Sequence, residues 1–160
     1  MSEPGVVLRA FRDGDAAALH VVFHSAIHGT ACADYTREQL EAWAPARIDE
    51  VAWAARMQRL QPFVAECAGE PVGYAALRAD GYVDDFYVAA THGGRGIGTR
   101  LMAAVLERAR QLGLTRLHSD VSVTAQRLFA KHGFRIVEQR MPVVRGVAMP
   151  NARMVREPLR

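Results

Sequence analysis

Cysteine is scarce in this chain, long apolar runs and basic clusters are missing, and each absence removes a class of function. Cys32 and Cys67 are its two cysteines among 160 residues. They fit neither a CxxC pair nor a metal-ligand spacing, so no disulfide framework and no cysteine-held metal is expected. A reduced, intracellular setting is the simplest reading. No window approaches the about 18 consecutive apolar residues of a membrane span. The N-terminus carries Glu3, Pro4 and Gly5 in place of a basic start and an apolar stretch. That predicts no signal peptide and a cytoplasmic protein. Lys plus Arg number 20 against 17 Asp plus Glu, a formal net charge of +3. This suits an anionic ligand, but the basic residues are scattered and not interleaved with aromatics, so no nucleic-acid partner is expected.

What is present is enough for one folded domain over residues 1–160, half of them hydrophobic. Val6 to Phe11 reads as a strand. Asp13 or Asp15 can cap a helix whose inner face is Leu19, Val22, Phe23, Ala26 and Ile27. Thr36 with Gln39 resembles a capping box for a short helix ending at Trp43. A further helical piece, 49–60, carries Val51, Ala55 and Leu60. Phe63 to Ala68 and Val72 to Ala79 form a hairpin, and Asp80-Gly81 turns the chain into a strand from Tyr82 to Ala89. Beyond the next helix come a strand over Leu114–Val121, a short helix over Thr124–His132, a strand over Phe134–Arg140 and a last strand around Val147–Val155. The order points to a mixed α/β sheet.

The most informative stretch is YVDDFYVAATHGGRGIGTRL, Tyr82 to Leu101. A β-type run leads through a short linker to Gly93, Gly94, Gly96 and Gly98. Leu101, Met102, Val105, Leu106, Ala109 and Leu112 then recur at helical spacing. A strand feeding a glycine turn at a helix N-terminus offers bare N–H groups and a favourable dipole to an anion. A triphosphate-binding P-loop is excluded, because no lysine follows these glycines. A dinucleotide site is a rival: Gly96-Ile97-Gly98 opens a helix and Asp120 lies about 20 residues on. Against it, Leu101 stands where that fingerprint needs Gly or Ala, and the βαβ unit is solitary. A turn that merely caps a helix is the third possibility.

The run Phe86-Tyr87-Val88 followed by Gly94-Arg95-Gly96-Ile97-Gly98-Thr99-Arg100-Leu101-Met102 resembles the acyl-CoA-binding motif of the GNAT N-acetyltransferase superfamily. Ser122 to Phe134, SVTAQRLFAKHGF, is similar to that family's second helix and Gly-Phe strand entry. The resemblance implies an α/β fold with a mixed, mostly antiparallel central sheet, split to admit coenzyme A and flanked by helices. It implies an acetyl-CoA-dependent enzyme acting on a small-molecule or peptide amine. The amides of Arg95 to Thr99, beside Gly93 and Gly94, would hold the pyrophosphate. Phe86, Tyr87, Val88 and Ala89 would serve the pantetheine arm from one strand, with Ser122 and Phe129 flanking it from the second motif. Arg95 and Arg100 would add positive potential, or simply be solvated. The closing strands offer a route to a homodimer. Two departures stand out. Gly93 replaces the usual Gln or Arg, and Phe129 replaces a tyrosine that protonates the departing thiolate in many members. A non-catalytic acyl-CoA-binding regulatory module is therefore a second reading.

Amine acetylation needs a base within reach of the acetyl group. Asp84 and Asp85 point to opposite faces of one strand, and Asp84 shares its face with Phe86 and Val88. Asp120 projects from the adjoining strand, with His118 on the same face. Asp84 is the first candidate for the base, Asp120 the second and His118 the third, each against the alternative of a salt-bridged or solvated group. Tyr82 and Tyr87 are possible hydroxyl donors, or buried structural tyrosines. His20, His24 and His28 fall at i, i+4 and i+8, but no Cys or carboxylate completes a metal set, so no metal is expected. His24 or His28 could line an acceptor pocket, and Trp43 and Trp53 belong to the same region.

Overall fold

A computed structural model describes residues 5–158. Glu3 and Pro4, on which the expectation about the N-terminus rests, lie outside the described residues. Strand β1 (Val6–Ala10) is followed by α1 (Ala16–Gly29), α2 (Arg37–Trp43) and α3 (Glu50–Leu60). Then come β2 (Phe63–Cys67), β3 (Glu70–Leu77), β4 (Val83–Val88), α4 (Ile97–Gln111), β5 (Leu117–Ser122) and α5 (Gln126–Lys131). The chain closes with β6 (Arg135–Arg140), a hairpin of β7 (Val143–Val144) and β8 (Val147–Ala148), and β9 (Asn151–Arg156). β1-β2-β3-β4 form one antiparallel sheet and β5-β9-β6 another. The two are joined edge to edge by a parallel bridge between Tyr82 and His118.

The expected α4 stripe is the principal core. Ile97, Leu101, Met102, Val105, Leu106 and Ala109 are buried against β3, β5 and β9 residues including Ala75, Leu117 and Met154. Each fully buried aliphatic side chain of this kind contributes about 1.5–3 kcal/mol. α1 covers the other face, where Leu19 and Val22 pack on Tyr74 and Met57. Gly29, the last residue of α1, is fixed by a close approach: a Cβ there would lie 2.5 Å from that of Ala90. The turn between β4 and α4 is thereby held against α1.

Several local expectations are corrected. Asp15 occupies the N-cap of α1 but makes no side-chain cap bond. Its carboxylate instead grips Arg9 at 2.8 and 3.0 Å and the Arg12 amide at 2.8 Å. The charged partner across the β1–α1 turn outcompetes the helix end. The Thr36–Gln39 capping box is present in both directions. In α3 the inward face is Trp53, Met57 and Leu60, whereas Val51 is 81% exposed. Leu112 caps α4 and lies 46% exposed, off the stripe. The last strand is broken in two, because Arg145 and Gly146 take positive φ and fold 143–148 into a hairpin before β9 begins.

Four histidines are held neutral by this packing. Burial lowers His20, His24, His118 and His132 below their ordinary value, with neighbouring positive charge assisting in the last three. His20 Nε2, His118 Nδ1 and His132 Nε2 are buried without partners, so a proton added there would have no acceptor. Below about 6.5 the unfolded chain therefore binds more protons than the folded one, and stability falls as pH falls. A thermal melt series is expected to show Tm dropping as the pH is lowered through about 6.5. A flat Tm there would contradict the assignment.

Candidate active site

β4 and β5 run side by side but are tied only near their starts. The His118 amide donates to the Gly81 carbonyl at 3.0 Å and the Ser119 hydroxyl to the Val83 carbonyl at 2.7 Å. Beyond these ties the strands part, and a cleft of about 160 Å³ opens between them. Asp84, Phe86 and Tyr87 line it from β4 and Ser119 to Ser122 from β5. Ala125 and Phe129 follow the second strand, while Tyr35, Trp43, Pro142, Val144, Met149, Pro150 and Asn151 close the far side.

The glycine turn stands at the head of α4. Gly94 and Gly96 lie at φ +74° and +79°, and a Cβ on either would meet nothing within 4 Å, so this surface is open. The first bond of the helix runs from the Arg100 amide to the Gly96 carbonyl at 3.1 Å. The amides of Ile97, Gly98 and Thr99 precede it and have no partner within the helix. Gly93 precedes the turn with its amide directed to the Ala90 carbonyl at 3.4 Å. Gly98 connects the turn to the cleft, since a Cβ there would lie 3.0 Å from Leu128 and 3.9 Å from Phe86. Arg100 is not aimed at the turn; its guanidinium donates to the Val6 carbonyl and ties α4 to β1.

The carboxylates divide as alternation along β4 predicts. Asp85 is 5% exposed and turns away from the cleft. It accepts from Tyr74 at 3.0 Å and from Arg56 at 2.6 Å, and burial pushes its pKa up despite that guanidinium. Asp84 lines the cleft and takes a 3.0 Å bond from the same Arg56 nitrogen. Asp120 also lines the cleft, but it is far more committed. Arg153 holds it with bonds of 2.6 and 3.2 Å, the Tyr82 hydroxyl donates at 3.1 Å, and Arg140 stands at 3.5 Å. Burial alone would raise its pKa, but the bonds from Arg153 and Tyr82 outweigh that and hold it below the usual carboxylate range. Burial beside Asp120 pushes the Tyr82 phenol up to about 12, so that hydroxyl keeps its proton.

The structure does not bring His118 to the cleft. Its ring packs edge-on against Tyr82 at 5.3 Å, next to the bridge that closes the strands. Phe129 is 2% exposed, wedged between Phe86 and Phe134 at 5.4 and 5.0 Å, and offers no proton. Val88 and Ala89 continue β4 toward the turn, and Ser122 accepts from the Ala125 amide at 3.3 Å where β5 ends. The two tyrosines that sequence reasoning weighed are both engaged within the protein, Tyr82 through its bond to Asp120. Tyr87 packs against Phe23 at 5.0 Å and lies 6.3 Å from the Trp43 ring. Trp53 donates its indole N–H to the Ala16 carbonyl at 2.7 Å. Of the α1 histidines, His28 bonds to the Ala44 carbonyl at 2.7 Å and stacks on His24 at 4.2 Å, and none of the three lines the cleft. Among the described residues there is no group of three or more His, Cys, Asp or Glu arranged for a metal. None of the described helices is long and apolar enough to cross a membrane.

Sequence reasoning missed Arg56, Arg153, Tyr35 and Asn151. Arg56 comes from α3 and Arg153 from β9, and no local spacing links either to its carboxylate. The Tyr35 hydroxyl donates to the Pro150 carbonyl at 2.6 Å and accepts from the Val123 amide at 2.9 Å. It thereby staples three segments of the cleft rim.

A mixed α/β sheet opened between two parallel neighbours, with a glycine turn at one end and carboxylates inside, has counterparts among known proteins. The family model for the acetyltransferase (GNAT) domain matches residues 31–154, and the chain belongs to this family of N-acetyltransferases. It is 29% identical over 153 residues to the N-acetyltransferase YafP of Escherichia coli (strain K12), covering 96% of this chain and 97% of that one. The crystal structure of a GCN5-related N-acetyltransferase from Rhodopseudomonas palustris superposes with a TM-score of 0.91 at 32% identity, covering 98% of both chains. The fold is shared with more distant structures. One is yncA of Salmonella typhimurium with its cofactor acetyl-CoA, at TM-score 0.71 and 22% identity over 96% of this chain and 94% of that one.

Proposed function

We propose that this protein moves an acetyl group from acetyl-CoA directly to a primary amine. The observation that carries the reading is the adjacency of the open turn at the head of α4 to the cleft that Asp84 lines: Phe86 lines that cleft and lies 3.9 Å from where a Cβ on Gly98 would stand. Amides of residues 95–99 bind the diphosphate, each charge-assisted bond contributing on the order of 1.5–3 kcal/mol. The parted edges of β4 and β5 offer backbone groups to the pantetheine arm, with Ser122 and Phe129 on the far wall. The acceptor nitrogen attacks the thioester carbonyl carbon, a C–N bond forms and the C–S bond breaks. The proton leaving the nitrogen passes to Asp84, directly or through one water. Coenzyme A departs as the thiolate and takes its proton from solvent, because Phe129 supplies none.

A thiol-release assay with acetyl-CoA and a panel of amines tests this. Release that depends on both acetyl-CoA and an amine is the expected result. Binding of acetyl-CoA with no release for any amine would favour a regulatory acyl-CoA sensor instead, the reading that Phe129 invites.

A further inference from the structure

The contents of the cleft narrow the acceptor, and this step rests on the acetyl transfer proposed above. Among the described residues that line the cleft there is no Lys, Arg or His. Its ionised groups are the carboxylates of Asp84 and Asp120; the guanidiniums paired with them, Arg56 at 3.0 Å and Arg78 at 3.9 Å from Asp84, Arg153 at 2.6 Å and Arg140 at 3.5 Å from Asp120, are committed to those carboxylates and are not part of the lining. One more acceptor is unused: Asn151 Oδ1 is buried without a hydrogen-bond partner, on the strand directly opposite Ser122. Two hydroxyls that might have donated to an anion are taken, Tyr35 by the Pro150 carbonyl and Ser119 by the Val83 carbonyl. The remaining far wall is aromatic and apolar. Trp43 stands edge-on to Tyr35 at 5.3 Å and 6.3 Å from Tyr87, beside Val144 and Met149.

We infer that the acceptor is a primary amine carried on a compact aromatic or apolar body without an acidic group. Its nitrogen faces the oxygens of Asp84, Asp120 and Asn151, and its body lies against Trp43. A carboxylate next to the amine would enter a space whose first neighbours are two other carboxylates, with no lining cation to neutralise it. A volume of about 160 Å³ is small beside the roughly 300–1,000 Å³ of common ligand pockets, which favours one compact body.

The test compares kcat/KM for 2-phenylethylamine, phenylalanine, ethylamine, putrescine and a short peptide with a free N-terminus. 2-Phenylethylamine is expected to exceed each of the others by roughly tenfold to 100-fold. Trp43→Ala is expected to cut the preference for 2-phenylethylamine over ethylamine by roughly tenfold, through KM. Asn151→Ala is expected to lower kcat/KM for both amines alike. A general folding defect would not move the ratio between two amines, and Trp43→Phe, which keeps a ring, is expected to restore it. Preference for phenylalanine, putrescine or the peptide, or an unchanged ratio in Trp43→Ala, overturns the inference while leaving acetyl transfer intact. Absence of acetyl-CoA binding by calorimetry overturns the acetyl transfer itself, and this inference with it.

Discussion

Gly98→Glu is expected to lower acetyl-CoA affinity by roughly 100-fold or more, since a like charge set against bound phosphate costs several kcal/mol. Gly98 is the second residue of α4, within the run of amides that precede the first intrahelical bond. A carboxylate there would stand where the amides of residues 95–99 are proposed to hold the diphosphate, and would cancel the positive end of the helix dipole. Steric crowding alone is the smaller effect. A Cβ at this position meets Leu128 Cδ2 at 3.0 Å, the far end of a side chain that can turn aside. Gly98→Ala is therefore expected to lose less than about tenfold, because a shift of one rotamer costs little. Calorimetric titration of acetyl-CoA into both variants separates charge from bulk. Parent-like affinity in Gly98→Glu would place the phosphates elsewhere.

Asp84→Asn is expected to reduce kcat by roughly 10²–10⁴-fold with acetyl-CoA affinity unchanged, the range for removal of a positioned base. The asparagine keeps the shape and the bond from Arg56 but cannot take a proton. Asp120→Asn is expected to behave differently. Its carboxylate is occupied by Arg153 and Tyr82 and held acidic, which makes it a poor proton acceptor near neutral pH. Its loss should appear chiefly in Tm, because Arg153 would lose its charged partner and the amide that replaces the carboxylate cannot accept at both of the Asp120 oxygens that now take bonds from Arg153 and Tyr82. The reverse pattern, an inert Asp84→Asn with Asp120→Asn inactive and stable, would exchange the two roles.

The parts of the site legible in the sequence are those written in consecutive residues. The glycine turn, the α4 stripe, the Thr36–Gln39 box and the 63–77 hairpin are local, and local geometry decides them. Alternation along β4 is by itself sufficient to put Asp84 and Asp85 on opposite faces. What stays hidden depends on long separations. Arg56 reaches Asp84 and Asp85 from a helix 28 and 29 residues away, and Arg153 reaches Asp120 across 33. Arg100 resembles a phosphate ligand because it follows the glycines, but the sheet edge at Val6 takes its guanidinium. Val51 and Leu112 fit a helical period and still face solvent, since periodicity alone does not say where a neighbouring element ends. The 143–148 hairpin escapes notice because two-residue strands carry almost no alternation to detect.

The parting of β4 from β5 also bears on how the molecule behaves in a crowd. Two strand margins that lack a neighbouring strand are templates onto which another polypeptide can add. Here they face each other across a narrow gap and are recessed behind the Tyr35–Trp43 rim, so a foreign strand has little access from the side. A slim thioester arm passes where a polypeptide does not. The same parting that makes room for a slim arm thus leaves little room for strand addition at these two margins.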